Sequence, residues 1–298
     1  MDRRIFMAGL GLALACPASA QESDGGQGTL NLTASLGAGA PLATGLRWRV
    51  FKATPDSDGQ HRLIVESALA QPSLTLPPGD YVIHVAFGLA SATKMVAVGS
   101  EALDVKMSLA AGALRIHCTA NGDKPIDPAD VSLAIYVPER NNATAKLVYA
   151  KARENEVIGV PEGNYHIAST YLDTVSIGTL GQPKGPGAAI PTNSIASGDV
   201  NVATGKIVDV TLRHRIATLT IKLVNAPGGG ALANSTFTVL TPGGDIVREL
   251  AGAFPSLVLA EGEYVVIARH DARTYQATFT VVSGMDRDVE VLARGATN

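Results

Sequence analysis

The chain has 298 residues with a formal charge of −3; 46% are hydrophobic, 17% charged and 5% aromatic. That is enough chain for more than one core, and too little positive charge for a nucleic-acid face or a polybasic membrane patch. The six histidines and two cysteines show no His-x-His, Cys-x-x-Cys or His-Glu-x-x-His spacing, so no metal or cofactor site is expected.

Residues 1–20 read as a cleaved signal peptide. A stub with Arg3 and Arg4 precedes an apolar run from Ile5 to Ala15, and Ala18-Ser19-Ala20 ends on small residues that suit cleavage after Ala20. The apolar run is far shorter than the ~20 residues that span a bilayer as a helix. Arg3-Arg4-Ile5-Phe6-Met7 fits a twin-arginine signal and equally an ordinary basic leader, so both export routes stay open. Cys16 raises lipid anchoring as a further option, although Ala13 stands where lipoprotein signals usually carry Leu. Without residues 1–20 the formal charge moves to −4, and no second apolar stretch approaches membrane-spanning length. The expected compartment is the periplasm, with secretion or a lipid anchor as alternatives. Only Cys118 is left after cleavage, which rules out an internal disulfide. Strand alternation in GALRIHCTA places Cys118 on the buried face with Leu114 and Ile116.

After a short linker, 21–27, the same order of segments occurs three times. The opening strands are GTLNLTA from Gly28, GALRIHC from Gly112 and ATLTIKL from Ala217. The second strands are RWRVFKA, VSLAIYV and STFTVLT; the closing ones include VKMSLAA, IVDVTLR and DVEVLAR. Each interval is the size of one β-sandwich with short strands and turn-rich connections. The expected fold is therefore all-β: three tandem Greek-key sandwiches at 28–111, 112–215 and 216–298, abutting without flexible linkers. The middle unit carries a Gly/Pro-rich insertion, 174–199, which lacks any period. Trp48, on the face of RWRVFKA that also holds Val50, is expected in the core.

One ten-residue pattern recurs within these units: LPPGDYVIHV at 76–85, VPEGNYHIAS at 160–169 and LAEGEYVVIA at 259–268. Each has an apolar residue five positions before a tyrosine, a turn glycine between them, and a strand after. This spacing suits a tyrosine corner, with the hydroxyls of Tyr81, Tyr165 and Tyr264 bonded to nearby backbone. The pattern resembles the transthyretin-like, carboxypeptidase-regulatory-like and Cna-B-like modules of extracytoplasmic proteins. The resemblance covers each unit and implies an Ig-like or prealbumin-like sandwich without implying an activity. Some Cna-B-like modules carry a Lys–Asn crosslink, but the inward positions Leu30, Leu32, Leu114, Ile116, Leu219 and Ile221 offer no lysine, and Lys222 falls on the outer face.

No catalytic residue is assigned. NAPGGGALA at 225–233 has no helix behind it and reads as a hairpin loop rather than a phosphate cradle. The polar cluster Arg269-His270-Asp271-Ala272-Arg273-Thr274-Tyr275 reads as a solvated hairpin, because neighbours in a strand point apart. The expected function is a non-catalytic exported scaffold or protein-interaction protein with envelope-protein partners. The alternative is a glycan- or small-ligand-binding protein using an inter-unit groove or the middle insertion.

Overall fold

The computed structural model describes residues 26–138, 145–181 and 189–294. Arg3, Arg4, Cys16 and Ala20 lie outside the described residues. The first sandwich comprises β1 (Gly28–Leu36), β2 (Leu46–Lys52), β3 (Leu63–Ser67), β4 (Ser73–Leu76), β5 (Gly79–Phe87), β6 (Ala90–Val98) and β7 (Leu103–Leu109). They form the sheets β4-β1-β7 and β3-β2-β5-β6.

The second sandwich comprises β8 (Ala111–Ala120), the short β9 (Lys124–Pro125), β10 (Val131–Val137), β11 (Lys146–Ala152), β12 (Val157–Pro161), β13 (Gly163–Asp173), β14 (Ile190–Val202) and β15 (Ile207–His214). Its sheets are β12-β8-β15 and β11-β10-β13-β14. The third comprises β16 (Ile216–Val224), β17 (Thr236–Leu240), β18 (Ile246–Ala251), β19 (Ser256–Ala260), β20 (Gly262–His270), β21 (Arg273–Val281) and β22 (Arg287–Leu292), in sheets β19-β16-β22 and β18-β17-β20-β21. One topology is thus used three times. In each sandwich the first strand pairs in parallel with the last, and the chain is all-β apart from a three-residue helical turn, Pro128–Asp130, among the described residues.

Alternation builds the cores. Along β1, Leu30, Leu32, Ala34 and Leu36 point inward against Trp48, Val50, Ile83 and Val85. Trp48 is fully buried. Burying each such large side chain contributes roughly 1.5–3 kcal/mol. The second and third cores repeat the pattern around Leu114, Ile116 and Ile135, and around Leu219, Ile221 and Phe237. On the outer face an aspartate at one equivalent place supports each parallel pair: Asn31 donates to Asp104 at 2.8 Å, Arg115 to Asp209 at 2.6 Å, and Lys222 pairs with Asp288 at 3.1 Å. Lys222 therefore lies outside the core in an ion pair that also includes Glu290.

The sandwiches dock tip to strand. The β5–β6 turn of the first meets β12 of the second, where the Leu89 N–H donates to the Gly159 carbonyl at 2.8 Å. A Cβ on Gly159 would lie 2.1 Å from the Phe87 ring, so only glycine permits this approach. The β13–β14 hairpin makes the next junction and is longer. Its closing pair Gly163↔Val202 spans 39 positions, whereas Gly79↔Val98 and Gly262↔Val281 span 19.

The extra length falls where the insertion at 174–199 is expected, and the described part of it is ordered into pairing. Residues 190–199 form most of β14, paired with β13 at 190–191 and 195–199 across a register shift, and 174–181 fasten onto the third sandwich. Thr179 bridges Leu250, the Ala251 N–H donates to the Gly178 carbonyl at 2.7 Å, and the Ser256 N–H donates to the Ile177 carbonyl at 3.0 Å. The segment thus covers the free edge of β18.

Candidate functional site

The three tyrosine positions are built alike. Tyr81, Tyr165 and Tyr264 are buried, and each hydroxyl donates to the carbonyl four residues earlier: Pro77 at 2.9 Å, Pro161 at 2.8 Å and Ala260 at 2.9 Å. The preceding glycines Gly79, Gly163 and Gly262 have φ of +158°, +154° and +154°, a region closed to other residues. Burial pushes the Tyr165 and Tyr264 phenols up from their ordinary value. Each hydroxyl is thus held by the backbone of its own turn.

The outer face of each four-stranded sheet is where the repeats differ. Counting one residue past each tyrosine gives a row that crosses all four strands. In the first sandwich it is Leu63, Phe51, Val82 and Met95. In the third it is Ile246, Leu240, Val265 and Thr278. In the second it is Leu147, Tyr136, His166 and Asp199. A register shift falls at the same place in all three, between Val50 and Phe51, Ile135 and Tyr136, and Val239 and Leu240. Met95 is 68% exposed and Ile246 63% exposed, so the rows of the outer two sandwiches present apolar side chains to solvent.

In the second sandwich Tyr136, His166 and Asp199 of the row are polar and line a hollow. His166 Nδ1 lies 2.7 Å from Asp199 Oδ1, and the Tyr136 and His166 rings are 6.2 Å apart and tilted by 55°. One step along, Asn201 donates to Asn164 at 2.8 Å. Ala168 keeps part of the floor low, and Pro138 and Ala145 stand at the rim of a hollow of about 850 Å³. The third sandwich has a hollow at the equivalent place, beside Pro242, Val265 and Thr278, of only about 250 Å³.

A second polar cluster is buried. His214 is 1% exposed, with Nε2 2.8 Å from Ser169 Oγ and Nδ1 2.9 Å from Ser194 Oγ. Burial lowers its imidazole from 6.5 to about 4. The thiol of buried Cys118 donates to Ser169 Oγ at 3.5 Å, and burial raises its pKa, which suppresses the nucleophilic thiolate. Sequence reasoning missed this cluster. The available signal was Ser169 at an inward position where the other repeats hold Val85 and Ala268.

His270 and Asp271 require a correction. They do meet, with His270 Nε2 3.2 Å from Asp271 Oδ2. Positive φ at Asp271 (45°) and Ala272 (60°) breaks the alternation that would have parted them. Ser235 Oγ lies 3.5 Å from His270 Nδ1, but Ser235 is 1% exposed and donates to the Leu232 carbonyl at 2.9 Å. That serine has no open face for a substrate. Among the described residues no group of three or more metal-binding side chains converges.

Repeated β-sandwiches with differently surfaced outer sheets define the class: a tandem β-sandwich protein. The model of the Rhizobiales growth-associated tandem repeat domain matches residues 218–293, which run from β16 to just past β22. No curated protein matches the chain. Among solved structures it is similar to the Bacillus anthracis TIE protein, at 17% identity and TM-score 0.24, over 89% of this chain and 51% of that one. The chain thus spans about half the length of that protein. It is also similar to a streptococcal ancillary pilin (12% identity, TM-score 0.29, 90% of this chain and 99% of that one). The major pilin subunit of Bacillus cereus is a third (10% identity, TM-score 0.23, 89% and 99%).

Proposed function

We propose that the chain is an exported, non-catalytic scaffold of the bacterial periplasm or envelope, built of sandwiches at 28–111, 112–215 and 216–298 with docking faces on the first and the third. The supporting observation is the apolar row Leu63–Phe51–Val82–Met95 and its counterpart Ile246–Leu240–Val265, held at one register position on a rigid scaffold. A contiguous apolar stripe with polar surroundings is the surface chemistry of a protein contact. Beside the first row lies a polar border in which Arg49 pairs with Glu66 at 3.6 Å. No described helix is long and apolar enough to cross a membrane.

The test is site-specific photocrosslinking of the full chain in its own cell. A photoreactive residue at Met95 or Ile246 should capture the same one or two envelope proteins. The same residue at Lys106, on the opposite sheet, should capture neither. Equal capture at all three positions, or none at any, would sink the docking reading.

A further inference from the structure

The hollow on the second sandwich is a difference between copies of one fold, and the copies serve as an internal control. Where the first repeat has Phe51, Val82 and Met95, and the third has Leu240, Val265 and Thr278, the second has Tyr136, His166 and Asp199. The flanking pair changes too: Asp80 with Ala97 and Glu263 with Thr280 become Asn164 with Asn201. The order of strands in this sheet, the bulge and the tyrosine corner recur in all three, so the fold itself does not require these polar groups. The hollow is also more than three times larger than its counterpart in the third repeat.

The lining selects a ligand chemistry. Among the described residues its lining holds no lysine or arginine. It offers one carboxylate, two amides and an imidazole beside an aromatic ring. Amides and a carboxylate together donate to and accept from hydroxyl groups, while the face of a Tyr ring packs against an apolar C–H surface. A ligand that carries many hydroxyls on one side and C–H groups on the other meets both demands. We propose that this hollow binds a neutral saccharide, with Tyr136 as the stacking platform and Asp199, Asn164 and Asn201 as the hydroxyl partners. The inference stands apart from the docking reading, which uses the apolar rows of the first and third sandwiches.

The side chains involved lie on the outer face; that of Asp199 is 85% exposed, so its replacement leaves the core untouched. The experiment titrates cellohexaose, chitohexaose, maltohexaose and xylohexaose separately into the isotope-labelled full mature chain. NMR shifts of the Asn side-chain amides are followed. At least one sugar should shift the Asn164 and Asn201 signals, and Tyr136→Ala and Asp199→Ala should each weaken that binding about tenfold. Thr278→Ala at the equivalent place in the third sandwich should leave it unchanged. Failure of all four sugars to bind below about 10 mM overturns the proposal, as does binding that survives Tyr136→Ala and Asp199→Ala at full strength. Binding of hexalysine in place of the sugars, released by salt, would reassign the hollow to a cationic peptide and equally overturn it.

Discussion

Asp173, at the end of the second sandwich's β13, accepts the backbone N–H of Val258 in the third sandwich at 3.1 Å. The carboxylate is 1% exposed, and it also accepts from the Val175 and Ser176 N–H groups at 3.1 and 2.9 Å and from the Ser176 hydroxyl. One side chain therefore turns the chain into the 174–181 segment and fixes it to β19. Asp173→Ala leaves the buried Val258 N–H without an acceptor, at roughly 1–3 kcal/mol, and frees the part-buried donors of Val175 and Ser176. The expected result is a lower urea midpoint together with new proteolytic cleavage within 174–181. Cleavage elsewhere, with that segment still protected, would show that Asp173 does not hold the junction.

The tyrosine hydroxyls should differ in worth. Tyr81→Phe and Tyr165→Phe each remove one bond to backbone, about 1 kcal/mol. The Tyr264 hydroxyl also accepts from Asn193 Nδ2 at 2.7 Å, while Asn193 Oδ1 accepts the Ala260 N–H at 3.0 Å. Tyr264→Phe should therefore cost about twice as much. Equal melting losses in the three variants would remove Asn193 from the account.

What could be read in the sequence was local. Leu30, Leu32 and Ala34 alternate within one strand, and each tyrosine sits beside its own turn glycine, so period and spacing were sufficient. Strand β14 was hidden because its inward residues Thr192 and Ser194 are polar, and the His214 that makes Ser194 tolerable there lies on another strand. Thr192 instead finds the Tyr171 carbonyl, at 2.9 Å. Likewise Tyr136, His166 and Asp199 form a row only once the register of three strands is known. A distance of 63 positions from Tyr136 to Asp199 carries no signal that alternation can detect.

Gly159 tests the first junction. A methyl group there would meet the Phe87 ring at 2.1 Å and the Phe87 carbonyl oxygen at 2.3 Å. Gly159→Ala should destabilise by about 1–3 kcal/mol, the usual cost of overpacking. Adding Phe87→Leu relieves the ring clash but leaves the carbonyl in place, so the double variant should recover only part of the loss. Wild-type melting in Gly159→Ala would mean that the two sandwiches separate freely at this contact.

His214 makes stability depend on acidity. In the unfolded chain its imidazole takes up a proton near pH 6.5, but burial delays protonation in the folded chain to about pH 4. Unfolding therefore becomes easier as the pH falls from 6.5 towards 4, and the contribution is whole above 6.5. At its full extent the effect is about 3 kcal/mol. Burial raises the neighbouring Cys118 thiol and Tyr171 phenol, so neither ionises in this window. His214→Gln keeps an amide that can serve both Ser169 and Ser194 without titrating. Urea midpoints at about pH 7 and about pH 4.5 should fall more steeply for the native chain than for this variant. Parallel profiles would place the acid sensitivity in other groups and leave His214 as a packed, silent member of the core.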